Sequence, residues 1–185
     1  VFNDFPWENY ISIDNTFVVE STVFGKTFTH SKYVSLKAKD GIVDRFKEKF
    51  GSRPNVSIKD PDLIINIHLN NNLCNISINS SRANLNQRGY RKSTNIAPIN
   101  EVLASGIIKL TGWKGNSDFL DPMCGSGTFL IEAALIAGNI PGNLNRNNFG
   151  FNRWKDWDLN LFNLIKDAQE KKIKKININI SGYDK

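Results

Sequence analysis

The 185-residue sequence predicts an α/β protein: a small α+β module followed by the opening part of a parallel sheet with its helices. Three observations carry this expectation. Apolar alternation before residue 80 marks a strand, a helix and a hairpin. The order strand, helix, strand recurs between residues 117 and 184, as a parallel pair requires. Within that second stretch, Asp121-Pro122-Met123-Cys124-Gly125-Ser126-Gly127-Thr128 reads as a strand end, a tight glycine turn and a helix start.

Thr16 to Phe24 alternates, with Phe17, Val19 and Val23 on one face and Val18, Glu20 and Thr22 on the other, the pattern of a half-buried strand. Ser31 is placed to cap a helix whose Val34, Ala38, Ile42, Phe46 and Phe50 recur at helical spacing, with Gly51 ending it. Leu63, Ile65, Ile67 and Leu69 alternate again, as do Cys74, Ile76 and Ile78 beyond a turn at Asn70-Asn71-Asn72, which predicts a hairpin. Residues 81–96 are polar and are expected to pass between two modules, 1–80 and 97–185. Pro98 suits the first turn of a helix with Ile99, Val102, Leu103, Ile107 and Leu110 as its apolar stripe, ending at Gly112. That stripe is expected to pack inward.

Phe119 and Leu120 lead into the glycine turn, and Phe129 to Ala137 runs almost wholly apolar to a stop at Gly138. Residues 139–156 form a Gly-, Pro- and Asn-rich excursion carrying Arg146, Arg153 and Trp154, with Trp157 just beyond; the sequence assigns it no role. Leu161, Leu164, Ile165 and Ala168 mark another helix, with the lysines at 171, 172, 174 and 175 expected to complement its C-terminal dipole. Ile176, Ile178 and Ile180 read as the second parallel strand, and Gly182-Tyr183-Asp184 as its tip.

The turn is a ligand cradle in its chemistry. Its glycines let a ligand approach the backbone, and the first amides of the helix favour an anionic group. A phosphate-binding P-loop requires Lys where this chain has Thr128, and a dinucleotide fingerprint requires a small residue where it has Leu130. An acidic strand tip, Asp121, followed by Gly-x-Gly suits S-adenosyl-L-methionine, which brings an ammonium for a carboxylate and a carboxylate for helix amides. Asp184, at the second strand end, is placed to accept hydrogen bonds from ribose hydroxyls. A plain glycine turn of any α/β protein remains the alternative.

Cys74 and Cys124 are the only cysteines, which argues against a disulfide framework or zinc site and fits a cytoplasmic setting. Cys124, beside the glycines, is read as a small residue of the turn rather than a nucleophile. His30 and His68 lack partners at ligand spacing, so no metal is expected. No apolar run approaches the ~20 residues of a membrane helix. The net charge of +6 includes Arg82, Arg88, Arg91 and Lys92 in one segment without acidic residues, which favours a polyanionic partner. Arg88-Gly89-Tyr90-Arg91-Lys92 could hold a phosphate and stack on a base, or tie two domains together. Glu132, inside the apolar helix, is expected at the ligand end, on a neighbouring amide or in solvent.

Residues 121–134, Asp-Pro-Met-Cys-Gly-Ser-Gly-Thr-Phe-Leu-Ile-Glu-Ala-Ala, resemble the cofactor motif of the THUMP-domain RNA methyltransferases, in particular the bacterial 23S rRNA guanine-N2 methyltransferases. Arg88-Gly89-Tyr90-Arg91 and Ala97-Pro98-Ile99-Asn100-Glu101 match the same pattern in the same order. The resemblance implies that residues 1–80 are the later part of a THUMP-type RNA-binding module, and that 97–185 are the first half of a Rossmann-like class I methyltransferase domain. It implies cofactor contacts from Asp121, Pro122, Cys124, Gly125, Ser126, Gly127, Thr128 and Asp184, and RNA contacts from Arg88, Tyr90, Arg91 and Lys92. The family's Asn-Pro-Pro-Tyr or Asp-Pro-Pro-Tyr-like catalytic tetrapeptide is absent, so no catalytic residue is expected within these residues. With Val1 at the start and Met123 the only methionine, the chain is read as an excerpt of a longer protein. A tRNA guanine-N2 enzyme, a DNA adenine-N6 enzyme and a non-catalytic RNA-binding module stay open beside the rRNA reading.

Overall fold

The computed structural model describes residues 1–91 and 98–185, which fold as two compact units. The first comprises Val1–Arg82 together with Asn148–Trp157; the second comprises Ala83–Asn147 and Asp158–Lys185. Part of the excursion expected inside the second module therefore folds with the first.

In the first unit, strands β1 (Thr16–Phe24), β2 (Asn55–Val56), β3 (Leu63–Asn70) and β4 (Leu73–Ile78) form one sheet in the order β2-β1-β3-β4. β1 pairs parallel with β3 and β2, whereas β3 and β4 form the antiparallel hairpin that the alternation predicts. Helix α1 (Ser31–Phe50) connects β1 to β2. Ser31 is its first residue rather than its cap. His30 occupies the N-cap position without a side-chain bond, and the Ser31 carbonyl accepts from Ser21 Oγ instead.

Burial follows the predicted faces. Phe17 and Val19 of β1, Leu63, Ile65 and Ile67 of β3, and Ala38, Ile42 and Phe46 of α1 form one core with Trp7 and Ile11. Phe50, the last member of the α1 stripe, is exposed.

The 148–157 strap is held to this unit by packing and charge together. Trp154 packs against the core, and the Phe151 N–H donates to the Ser80 carbonyl at 3.2 Å. Gly150 runs so close to the Asn79 carbonyl that a β-carbon there would overlap it. Arg153 spans Asp60 (3.0 Å) and Asp62 (3.2 Å), and Arg82 also pairs with Asp60. Asp62 in turn accepts from the Thr16 N–H and hydroxyl at 2.8 and 2.9 Å.

The second unit contains α2 (Glu101–Leu110), β5 (Phe119–Asp121), α3 (Thr128–Ala137), α4 (Leu159–Glu170) and β6 (Ile180–Gly182). β5 and β6 pair in parallel with Asp121 opposite Gly182, so both strand ends finish level. Four sequence expectations change here. α2 starts at Glu101 rather than at Pro98, because Asn100 accepts from the Val102 and Leu103 N–H groups and fixes the helix start. The stripe Val102, Leu103, Ile107 and Leu110 faces outward, and Glu101, Ala104, Ser105 and Ile108 are buried instead. Small residues allow the close approach of α2 to α3, whose own buried residues are Thr128, Glu132 and Ala133.

α3 does run to Ala137 and stop at Gly138 as expected, but Gly138 keeps a right-handed conformation, and Asn139 takes the left-handed one at φ 51°. Asn139 N–H bonds Ile136 O and Ile140 N–H bonds Leu135 O, the paired bonds of a Schellman stop. In α4 the helix ends before the lysine cluster, with only Lys171 at its cap, and the second strand is limited to Ile180–Gly182.

Acid should unfold the first unit. Hydrogen bonds from Arg45 and Lys49 hold the Glu8 carboxyl far below the usual range. Burial pushes Asp62 up, but Thr16 and Arg153 outweigh it and leave the net value lowered. Both groups bind protons less readily folded than unfolded, so their contribution is complete above ordinary carboxylate values near 4 and is lost as pH falls through the folded ones. Denaturant titrations read by circular dichroism should show flat stability from about pH 6 to 7 and a decline below about pH 4. Gly150→Ala should cost about 1–3 kcal/mol in the same measurement, since the strap must move off Asn79.

Candidate functional site

The turn after β5 is built by backbone bonds that lock the two strand tips together. Tyr183 N–H donates to Asp121 O at 3.0 Å and Cys124 N–H to Tyr183 O at 2.9 Å, so the turn cannot swing away from β6. Gly127 N–H then closes on Cys124 O at 2.8 Å. Gly125 (φ 53°) and Gly127 (φ 75°) both take left-handed backbone, which other residues adopt only with strain.

Close approach explains a further glycine. A β-carbon on Gly182 would stand 2.8 Å from Cys124 Cβ and 2.6 Å from Leu130 Cδ1. Leu130 occupies the place where a dinucleotide fingerprint needs a small residue, and the small residue is supplied by the neighbouring strand as Gly182. Spacing along the sequence holds no trace of that exchange, because Gly182 lies 52 positions away from Leu130.

Ile131 is the first residue of α3 whose N–H finds the expected acceptor, Gly127 O at 3.0 Å. The preceding amides of Thr128, Phe129 and Leu130 belong to the unsatisfied first turn of a helix and carry its positive end. Asp121 Oδ1 accepts from Met123 N–H at 3.1 Å, which stiffens the turn through the carboxylate. Pro122, Gly125 and Ser126 are exposed, Cys124 is half-buried, and Thr128 is buried. Over Gly125 the closest atom to a β-carbon would be Asp184 Oδ2 at 3.7 Å, and over Gly127 it would be Leu130 Cδ1 at 3.9 Å. Neither glycine face is crowded, each meeting only an ordinary van der Waals neighbour, and a carboxylate stands across from one of them. Asp184 Oδ1 accepts from Lys185 N–H at 2.7 Å.

Arg88, Tyr90 and Arg91 turn out to have partners on α2 and α3. Arg88 Nε lies 2.8 Å from Glu132 Oε1, but its N–H is not aligned with that oxygen, so the contact is ionic rather than a hydrogen bond. Tyr90 donates its hydroxyl to the same oxygen at 3.1 Å. Burial pushes the Tyr90 phenol well above its ordinary value, and the Glu132 charge and hydrogen bond add to that. Glu132 is 1% exposed, so its partners answer the question of where a carboxylate on this apolar helix goes: to Arg88 and Tyr90, not to the ligand end, an amide or solvent. Arg91 Nη2 donates to Thr128 Oγ1 at 2.8 Å and to Ile99 O at 2.6 Å, and its Nε lies 3.4 Å from Glu101 Oε1. Lys92 lies outside the described residues.

The chain can thus present an anion-favouring helix start, two uncrowded glycines, and the carboxylates Asp121 and Asp184 at adjacent strand ends. Sequence reasoning found all of these. It missed Arg91 as a partner of Thr128 and Glu101 as a buried acid, because those pairings join segments with no spacing rule between them.

Comparison with known proteins shows the family. Residues 2–79 match the THUMP domain, and residues 88–185 match the RMKL-like methyltransferase domain. The Ribosomal RNA large subunit methyltransferase K/L of Buchnera aphidicola (subsp. Acyrthosiphon pisum) is 41% identical over 91% of this chain and 24% of its own length. The protein of the same name from Desulfotalea psychrophila is 38% identical over 97% of this chain and 26% of its own. The chain spans about a quarter of the length of these curated relatives. Among solved structures, SMU.472 complexed with SAH superposes with a TM-score of 0.88 at 30% identity, covering 99% of this chain and 48% of that one. A protein from Listeria monocytogenes named a predicted N6-adenine-specific DNA methylase superposes at 0.85 with 29% identity, again over 99% of this chain and 48% of the other. With more than half of its residues matched by that model, the chain belongs to the RMKL-like methyltransferase domain family and carries a THUMP domain ahead of it.

Proposed function

We propose that this chain supplies the cofactor-binding part of an S-adenosylmethionine-dependent methyltransferase that modifies the exocyclic N2 of a guanine in 23S ribosomal RNA. The observation that carries the reading is the uncrowded glycine turn facing Asp184 across the ends of two level parallel strands. The cofactor fits the groups present. The first amides of α3 would take its carboxylate, Asp121 its ammonium and Asp184 its ribose, with Pro122, Cys124, Gly125, Ser126, Gly127 and Thr128 forming the wall of the turn. When bound, the cofactor supplies a methyl group on a sulfonium.

The residues of this chain bind and orient; the acceptor amine must be held in line by other groups, with the base swung out of its stack. No Asn-Pro-Pro-Tyr or Asp-Pro-Pro-Tyr tetrapeptide occurs here, so we assign that work to residues beyond these 185. RNA contact is assigned to the THUMP domain, since the guanidinium groups of Arg88 and Arg91 are engaged within the second unit. The relatives named for ribosomal RNA support the acceptor. The Listeria protein's name supports a second reading, transfer to adenine N6 of DNA.

Calorimetry with S-adenosylmethionine should detect binding, and Asp184→Ala should weaken it about tenfold to a hundredfold, the worth of hydrogen bonds to a charged acceptor. Methyl-acceptor mapping with the full-length protein should place the label on 23S rRNA and leave tRNA and duplex DNA unlabelled. Label on DNA adenine would move the assignment to the second reading. The 185-residue chain alone should show no turnover on any of the three.

A further inference from the structure

We infer that Arg91 is a positioning residue that sets the direction of a hydrogen-bond relay, from Arg91 to Thr128 to Ser126, and so aims the turn at an amino-acid carboxylate. The inference rests on the cofactor assignment above. A guanidinium only donates, so Thr128 Oγ1, at 2.8 Å from Arg91 Nη2, must accept there and keeps one hydrogen to give. Thr128 is 2% exposed, which leaves no water to take that hydrogen. Ser126 Oγ stands 3.3 Å away and is its recorded partner. Once Ser126 accepts, its own hydroxyl hydrogen is free to donate, and Ser126 is exposed on the open side of the turn.

The relay therefore ends in a donor beside the unsatisfied amides of α3, all of one polarity. Each bond in such a chain polarises the next. Arg91 is itself fixed by Ile99 O at 2.6 Å and by the Glu101 carboxylate at 3.4 Å, so its direction does not depend on the ligand. Glu101 also offsets its charge, which makes the effect local to the hydroxyl chain rather than a general positive field.

The test compares two ligands that share an adenosine and differ at the other end: S-adenosylhomocysteine, with an amino-acid carboxylate, and 5′-methylthioadenosine, without one. Arg91→Ala in the full-length protein should weaken S-adenosylhomocysteine binding about tenfold and leave methylthioadenosine within about twofold. Thr128→Val keeps the shape and removes the hydroxyl, and should reproduce that pattern. Combined with Arg91→Ala, it should add far less than the product of the two single effects. Equal losses for both ligands, or no loss for either, overturn the relay and leave Arg91 a plain tie. Thermal melts accompany every variant; if Arg91→Ala does not fold, unchanged S-adenosylhomocysteine binding by Thr128→Val overturns the relay alone. Wild-type protein that binds neither ligand overturns the cofactor assignment and the relay with it.

Discussion

The second unit depends on one close approach, that of the glycine turn to the end of β6. Gly182 has no side chain to hold Cys124 and Leu130 away, and two backbone hydrogen bonds then pin the turn between Asp121 and Tyr183. Everything with chemical character at the site follows from that approach. It sets Asp121 and Asp184 at neighbouring strand ends, leaves the faces of Gly125 and Gly127 uncrowded, and directs the first turn of α3 toward the same space. Any larger residue at 182 would part the strand from the helix before it affected a ligand.

Charge is handled in a consistent way behind that turn. α3 is apolar and packed, yet Thr128 and Glu132, one helical turn apart, present polar groups on a buried face. Both are met by the segment just before α2: Arg91 takes Thr128, and Arg88 and Tyr90 take Glu132. The pairs need not add stability over an apolar core of equal volume. What they provide is a fixed orientation, since a buried carboxylate with partners on only one side tolerates only one rotation of its helix. The first unit uses charge similarly, with Arg153 fastening the returning strap to Asp60 and Asp62 while Arg82 pairs with the same Asp60.

Much of the fold was legible in the sequence wherever a period and its burial coincide. β1, α1 and β3 were readable because their apolar positions alternate or recur and also face the core, whereas β4 was readable from its alternation alone, since Cys74 and Ile76 are exposed and only Ile78 packs against the core. α2 was misread in orientation for a physical reason. It has two plausible faces, and the more apolar one, Val102, Leu103, Ile107 and Leu110, is not the one that lets a neighbouring helix come close; Ala104 and Ser105 are. The strap was illegible because Phe151, Arg153 and Lys155 have partners some 70 to 150 positions earlier, which no local pattern records.

By itself the sequence determined the elements, the glycine turn, the two acidic strand ends and the exclusion of a P-loop, because each of these is a matter of residue type at short spacing. Only the tertiary structure decided which face of α2 is buried, that Gly182 stands in for the missing small residue at 130, that residues 148–157 join the first unit, and that Arg88 and Arg91 spend their charge on Glu132, Glu101 and Thr128. Those outcomes depend on distances between segments far apart along the chain, and such distances are set by packing, where volume and unpaired charge are judged together.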